Sequence, residues 1–128
     1  AGGGIFMDAM YRDACHVGEE LGFALTILTT VTGKHEAHVV VDAGFKTLSG
    51  YHHPPRVLER QDLDFRYLSA EHGVFDVRAG YEGPPLGERM QLLPGYSDST
   101  TCLHDFLVVV RDGRVDDVWE ITGRGALT

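Results

Sequence analysis

Short runs of β-branched and apolar residues, broken every few positions by glycine, proline or acids, dominate this chain, and no long 3.6-residue stripe runs through it. Phe23 to Thr32 (FALTILTTVT) and Ala37 to Asp42 (AHVVVD) therefore read as two strands, antiparallel to each other across a tight connection at Gly33-Lys34. Phe65 to Ser69 and Gly73 to Arg78 read as two more, around Ala70-Glu71-His72. Arg89 to Leu93 precedes the turn dipeptide Pro94-Gly95. Phe106 to Arg111 and Val115 to Ile121 make the clearest hairpin, because Asp112-Gly113 favours the left-handed turn such ribbons need. Ile5 to Met7 reads as a short strand entering a polar segment, Asp8 to Glu20. Thr47 to Arg56 and Gly80 to Gly87 read as loops, and helix is expected only as one or two turns near Tyr11 and Thr100. The pattern predicts an all-β domain, a small closed or half-closed β-barrel-like unit.

Composition narrows the function. A length of 128 residues suits one domain, with 43% hydrophobic residues to build its core. Sixteen glycines suit a turn-rich sheet better than helices. A net charge of −8 argues against nucleic-acid or anionic-membrane surfaces, since phosphates would be repelled. No segment approaches the roughly 20 apolar residues of a membrane helix, and no basic-then-apolar leader opens the chain. Cys15 and Cys102 are expected as two reduced thiols of a cytoplasmic protein. The chain opens on Ala-Gly-Gly-Gly without a methionine, as though cut from something longer.

Chemistry concentrates in Pro94 to Asp105, between two strands, where loops held by a sheet carry function. Tyr96 and Asp98 alternate, so an extended backbone turns both to one side, an oxygen-rich pair suited to Mg²⁺ or Mn²⁺. Cys102-x-His104 offers softer donors for zinc, while capping and turn formation by Asp98, Ser99 and Thr100 is the rival role. His52-His53 beside Pro54-Pro55 reads as a solvated loop, and Glu71-His72-Gly73 as a turn whose imidazole can act as ligand or base. Gly2-Gly3-Gly4 lacks the lysine and helix of a phosphate loop. Only two lysines occur: Lys34 is expected in solvent, and Lys46, after Asp42-Ala43-Gly44-Phe45, in a salt bridge closing the sheet edge.

In order along the chain, Gly4 to Asp8, Val41 to Ser49, Ser69 to Gly73, Pro94 to Asp105, Val109 to Val115 and Trp119 to Gly125 resemble one family. It is the C-terminal β-domain of D-threonine aldolases, D-serine dehydratases and 3-hydroxy-D-aspartate aldolases. The resemblance implies an alanine-racemase-like enzyme: a pyridoxal-phosphate-binding TIM barrel, absent from this chain, with residues 1–128 as the β-domain that covers the active site. It implies a cytoplasmic homodimer acting on a small D-3-hydroxy amino acid. It places the Schiff-base lysine in the barrel, so Lys46 is not that residue. It also implies a divalent ion (Mg, Mn or Zn) on a His-x-Asp or His-x-Cys pair, here Asp98 with Tyr96 in the histidine position. A neutral phenol binds metal poorly because it must first lose a proton with a pKa near 10. Either the ion is held weakly, His104 or His72 substitutes, or this branch works without metal and the Tyr96 phenol contacts the substrate hydroxyl itself. A related racemase or deaminase branch, a stand-alone β-barrel binding module, and a small metal-dependent hydrolase on Tyr96, Asp98, Cys102 and His104 are the competing readings.

Overall fold

A computed structural model describes residues 2–16 and 20–126. Eight strands form: β1 (Ile27–Lys34), β2 (His38–Val41), β3 (Arg56–Val57), β4 (Leu63–Leu68), β5 (Gly73–Val77), β6 (Arg89–Leu93), β7 (Phe106–Arg111) and β8 (Arg114–Glu120). The first six make one antiparallel sheet in the order β3-β6-β1-β2-β5-β4. Its two end strands, β3 and β4, come back into contact, so the sheet is a nearly closed barrel. β1 is the strand on which the barrel turns. Its first half pairs with β6, its second with β2, and the register shifts between Val31 and Gly33, an irregularity that bends a strand.

The apolar alternation now has a destination. Val31, Val41, Leu48, Phe75, Met90 and Leu92 point inward and pack as one core. Phe65 meets Phe75 edge-on, with ring centroids 5.8 Å apart. At the seam a cleft of about 440 Å³ opens between β3 and β4. Its arginines are already neutralised: Arg56 pairs with Asp13, Arg60 with Asp62 and Glu88, and Arg78 with Asp64.

The seam carries a pH dependence. The Arg60 guanidinium, bonded to both oxygens of buried Asp62 at 2.9 and 2.7 Å, holds that carboxyl below the ordinary carboxylate range. A depressed folded-state pKa contributes stability that is present above the unfolded value, near 3.9, and lost as pH falls through the folded one. We expect the unfolding temperature to drop below about pH 4. Asp62→Asn should lower it at neutral pH and flatten the acid limb, measured by calorimetry across pH 2–7.

β7 and β8 form a separate ribbon. Asp112 (φ 51°) and Gly113 (φ 73°) make the left-handed turn that their sequence requires. Phe106, Val108, Val110, Val115 and Val118 share one face of this ribbon, and all are exposed.

Several expectations change. Ile5 to Met7 is not a strand: Gly2–Ile5 is a 3-10 turn, closed by the Phe6 and Met7 N–H groups donating to the Gly3 carbonyl. Met7 then takes a left-handed φ of 57°, and Asp8 starts helix α1 (Ala9–Asp13). The triple glycine lowers strand propensity, and the Asp8 carboxylate, tied to both Tyr11 N and Ser97 N, fixes a helix start there instead. Residues 17–19 of the expected polar segment lie outside the described residues. β1 starts at Ile27 rather than Phe23 and runs through Gly33-Lys34, so the turn falls on residues 35–37. Arg56, read as loop, opens β3 because Leu93 of β6 offers it a partner. The run from Pro94 to Asp105 contains a helix, α2 (Ser97–Thr101). Lys46 forms the expected salt bridge, with Glu71, while the Asp42 carboxylate accepts from Thr29 Oγ1 and the Thr30 N–H, both at 2.7 Å. The short turns near Tyr11 and Thr100 stand as expected.

Candidate functional site

Everything of interest gathers where β6 ends. Leu93 is the last paired residue, Pro94 and Gly95 are buried, and Tyr96 is extended (φ −145°, ψ 113°) before α2 begins. Both short helices are held by their ends. The Ala9 and Met10 N–H groups of α1 donate to the Pro94 and Gly95 carbonyls, at 3.3 and 3.2 Å. Asp8, fully buried, accepts from Tyr11 N at 2.8 Å with one oxygen and from Ser97 N at 2.6 Å with the other. One carboxylate thus serves the N-termini of α1 and α2, satisfying donors that would otherwise be orphaned. Thr100 completes the frame: its hydroxyl donates to the Tyr96 carbonyl (2.8 Å) and accepts from Ser49 N (3.1 Å).

Within this frame the Tyr96 phenol and the Asp98 carboxylate come together, half-buried, though through a strand-to-helix corner rather than the extended stretch expected. The neighbouring Asp98 carboxylate, first as a hydrogen-bond acceptor and then through its charge, raises the phenol's pKa above its ordinary value. Tyr11 lies near the same carboxylate, its pKa raised chiefly by the charge of Asp98. Gly3 closes the wall. A Cβ there would overlap the Asp98 carboxylate and the Tyr11 ring, so only glycine lets the 3-10 turn lie this close.

A second wall comes from the loop before β3. The Tyr51 and His52 rings lie 3.8 Å apart, and His52 meets the Tyr96 ring edge-on at 5.8 Å. The loop is pressed onto Gly95, where an added Cβ would land on the His53 carbonyl. His52, read from sequence as a solvated loop residue, is exposed but belongs to this cluster. Nothing in its flanking residues signals this, because the contact joins positions 44 residues apart.

His104 is used differently. Its Nε2 is 2.7 Å from the Thr47 carbonyl, so it donates there and ties the start of β7 to the loop after β2. His72 is exposed, and its backbone closes the Ser69–Gly73 turn. Cys15 and Cys102 are exposed free thiols. Among the described residues no three of His, Cys, Asp and Glu group to hold an ion. A neutral phenol beside one carboxylate offers only two ligating groups, which by themselves fall short of the coordination set of a divalent ion. Neither lysine belongs to this cluster: Lys46 is exposed and bonded to Glu71, and Lys34 is exposed at the end of β1.

The sequence matches the family described as "Putative serine dehydratase domain" over residues 24–110. The chain belongs to that family. It is 41% identical to the D-threonine aldolase of Arthrobacter sp. over 128 residues, 98% of this chain and 34% of that protein. It is 39% identical to a 3-hydroxy-D-aspartate aldolase of Paracoccus denitrificans over 103 residues, 80% of this chain and 26% of that protein. The crystal structure of D-threonine aldolase from Filomicrobium marinum superposes with a TM-score of 0.87 at 30% identity, covering 96% of this chain and 35% of that one. The chain therefore spans about a quarter to a third of the length of the enzymes it matches. An uncharacterized protein of Mycobacterium tuberculosis differs: 30% identity over 113 residues takes in 80% of this chain and 84% of that protein. No described helix is long and apolar enough to cross a membrane.

Proposed function

We propose that this chain is the β-domain of a pyridoxal-phosphate lyase acting on D-3-hydroxy amino acids, as an aldolase or dehydratase, and that Tyr96 and Asp98 receive the substrate's 3-hydroxyl. The observation that carries this reading is the phenol–carboxylate pair at the β6–α2 corner, in a family whose relatives include aldolases for such substrates. The cofactor and its lysine belong to a barrel contributed by the rest of the enzyme, with the domain covering the active site in a homodimer. Pyridoxal phosphate supplies the electron sink for such reactions.

The chemistry left to this domain is proton handling. Tyr96, with its raised pKa, keeps its proton at neutral pH, and its single O–H turns from Asp98 to the substrate oxygen when the hydroxyl enters. In an aldol cleavage the 3-hydroxyl must lose its proton, and Asp98 is the acceptor. In a dehydration the hydroxyl leaves, and Tyr96 delivers a proton to it. Neither role needs an ion, so Tyr96 stands where the family pattern has its metal-binding histidine because the phenol makes the hydroxyl contact directly.

The test uses the full-length enzyme and D-threonine or D-3-hydroxyaspartate. Asp98→Asn should lower kcat/KM by about 100-fold and Tyr96→Phe by at least about tenfold, the range of a lost acid–base group. Chelator-treated enzyme should keep its activity. Full activity in both variants, or activity that vanishes on chelation and returns with Mn²⁺, would reject this assignment.

The mycobacterial relative favours a second reading, a binding module that works without a barrel, since that chain is mostly this domain. A full-length protein with no borohydride-sensitive absorbance in the visible would support it.

A further inference from the structure

The loop before β3 contains a backbone feature that its neighbours do not require. The His53 N–H donates to the Tyr51 carbonyl at 2.8 Å across a single residue, His52, whose φ is 64°. A three-residue turn of this kind with positive φ is rare and strained for a residue with a side chain. Strain of this sort persists only where surrounding structure enforces it, and it clusters at working sites. Here the enforcement is visible. Tyr51 N is fixed by Ser49 Oγ at 3.1 Å, and Pro54 and the His53 carbonyl are pressed against Gly95, with no room for a Cβ. The outcome is an imidazole delivered edge-on to the Tyr96 ring, with centroids 5.8 Å apart and planes at 86°, and backed by Tyr51.

Other features carry less. The seam cleft between β3 and β4 is lined by arginines already paired with carboxylates. Nothing in the structure shows what covers the exposed face of the β7–β8 ribbon.

We infer that His52 is a positioning residue: the strained turn holds its ring against Tyr96 and so fixes where the phenol is presented to the substrate hydroxyl beside Asp98. This rests on the hydroxyl-binding role of Tyr96 proposed above. The Tyr96 phenol makes no capping hydrogen bond to α2, and its ring meets His52 at 5.8 Å and Tyr51 at 6.4 Å between centroids. The loop packs on the residue immediately before Tyr96, so strand end, phenol and imidazole are placed together.

At His52, stability and activity should move in opposite senses. His52→Gly removes the ring but suits a positive φ, so the full-length enzyme should unfold at the same temperature or a few degrees higher, while kcat/KM for the D-3-hydroxy amino acid falls about tenfold. The loss should appear in kcat with KM nearly unchanged, as for an interaction that matters in the transition state. His52→Phe, which keeps an aromatic edge on Tyr96, should retain most of the activity. Because His52 acts through Tyr96, the pair His52→Gly/Tyr96→Phe should be no slower than Tyr96→Phe alone. His52→Gly within twofold of wild type while Tyr96→Phe is impaired would overturn this inference and leave the hydroxyl-site reading standing. So would two single losses that simply multiply in the double variant. An unimpaired Tyr96→Phe would instead remove the hydroxyl-site reading, and the inference with it.

Discussion

Replacing Gly95 by alanine should lower the unfolding temperature by roughly 10 °C, the largest effect expected of a one-carbon change in this protein. The cause is not the glycine's freedom of rotation. A Cβ at this position would fall on the carbonyl of His53, with the Pro54 backbone close behind, and a backbone carbonyl cannot rotate away as a flexible side chain can. Forcing an extra carbon into packed structure costs typically 1–3 kcal/mol, and backbone against backbone belongs at the upper end. At about 130 residues, each kcal/mol is worth roughly 4 °C. The displacement also has a direction. Pushed off Gly95, the loop carries the Tyr51 and His52 rings away from Tyr96, and the Gly95 carbonyl shifts from the Met10 N–H it receives. Thermal unfolding by circular dichroism measures the first effect, and the near-ultraviolet aromatic signal the second. An alanine variant with an unchanged melting curve would show that the loop does not rest on this strand end.

Removing the Asp8 carboxylate should do comparable damage by a different route. Asp8→Ala uncaps α1, a loss of about 1 kcal/mol. It also strands the Ser97 N–H in the interior, and an unsatisfied buried donor costs about 1–3 kcal/mol. The sum, about 3 kcal/mol, again corresponds to roughly 10 °C. Asp8→Asn is the informative companion. Its single amide oxygen can serve Tyr11 N or Ser97 N, while its amide N–H₂ faces a donor, so it should recover only part of the loss. Full recovery would mean that one of the two bonds contributes nothing to stability. The substitution reaches the site as well, because Ser97 lies between Tyr96 and Asp98.

How far these features could be read from sequence follows the distance over which each is determined. The strands were legible because a period of two is written in adjacent residues. Phe106–Arg111 and Arg114–Glu120 with their Asp112-Gly113 turn, or the β1–β2 pair, need only local information. The first seven residues were misread for the same reason. Ile5-Phe6-Met7 is apolar enough for a strand, but Asp8's bond to Ser97, 89 positions away, decides what precedes α1. β3 escaped notice since a two-residue strand exists only because Leu93 and Leu92 present an edge to it. The site divided along the same line. Tyr96 and Asp98 were legible as neighbours because they stand two residues apart in one loop dense with chemistry. Tyr11, Gly3 and His52 were not, because a ring edge or a missing Cβ leaves no mark at the position it comes to touch.

The separate ribbon of β7 and β8 gives the molecule two levels of cohesion. Six strands share one core, whereas two exposed strands are tied by their own ladder and by small anchors such as His104 on Thr47 and Arg124 on Asp105. An isolated two-stranded hairpin is marginally stable at best in water. The β7–β8 ribbon can therefore open while the barrel stays shut, and its amide hydrogens should exchange on a clock of their own. A single melting temperature describes only the barrel.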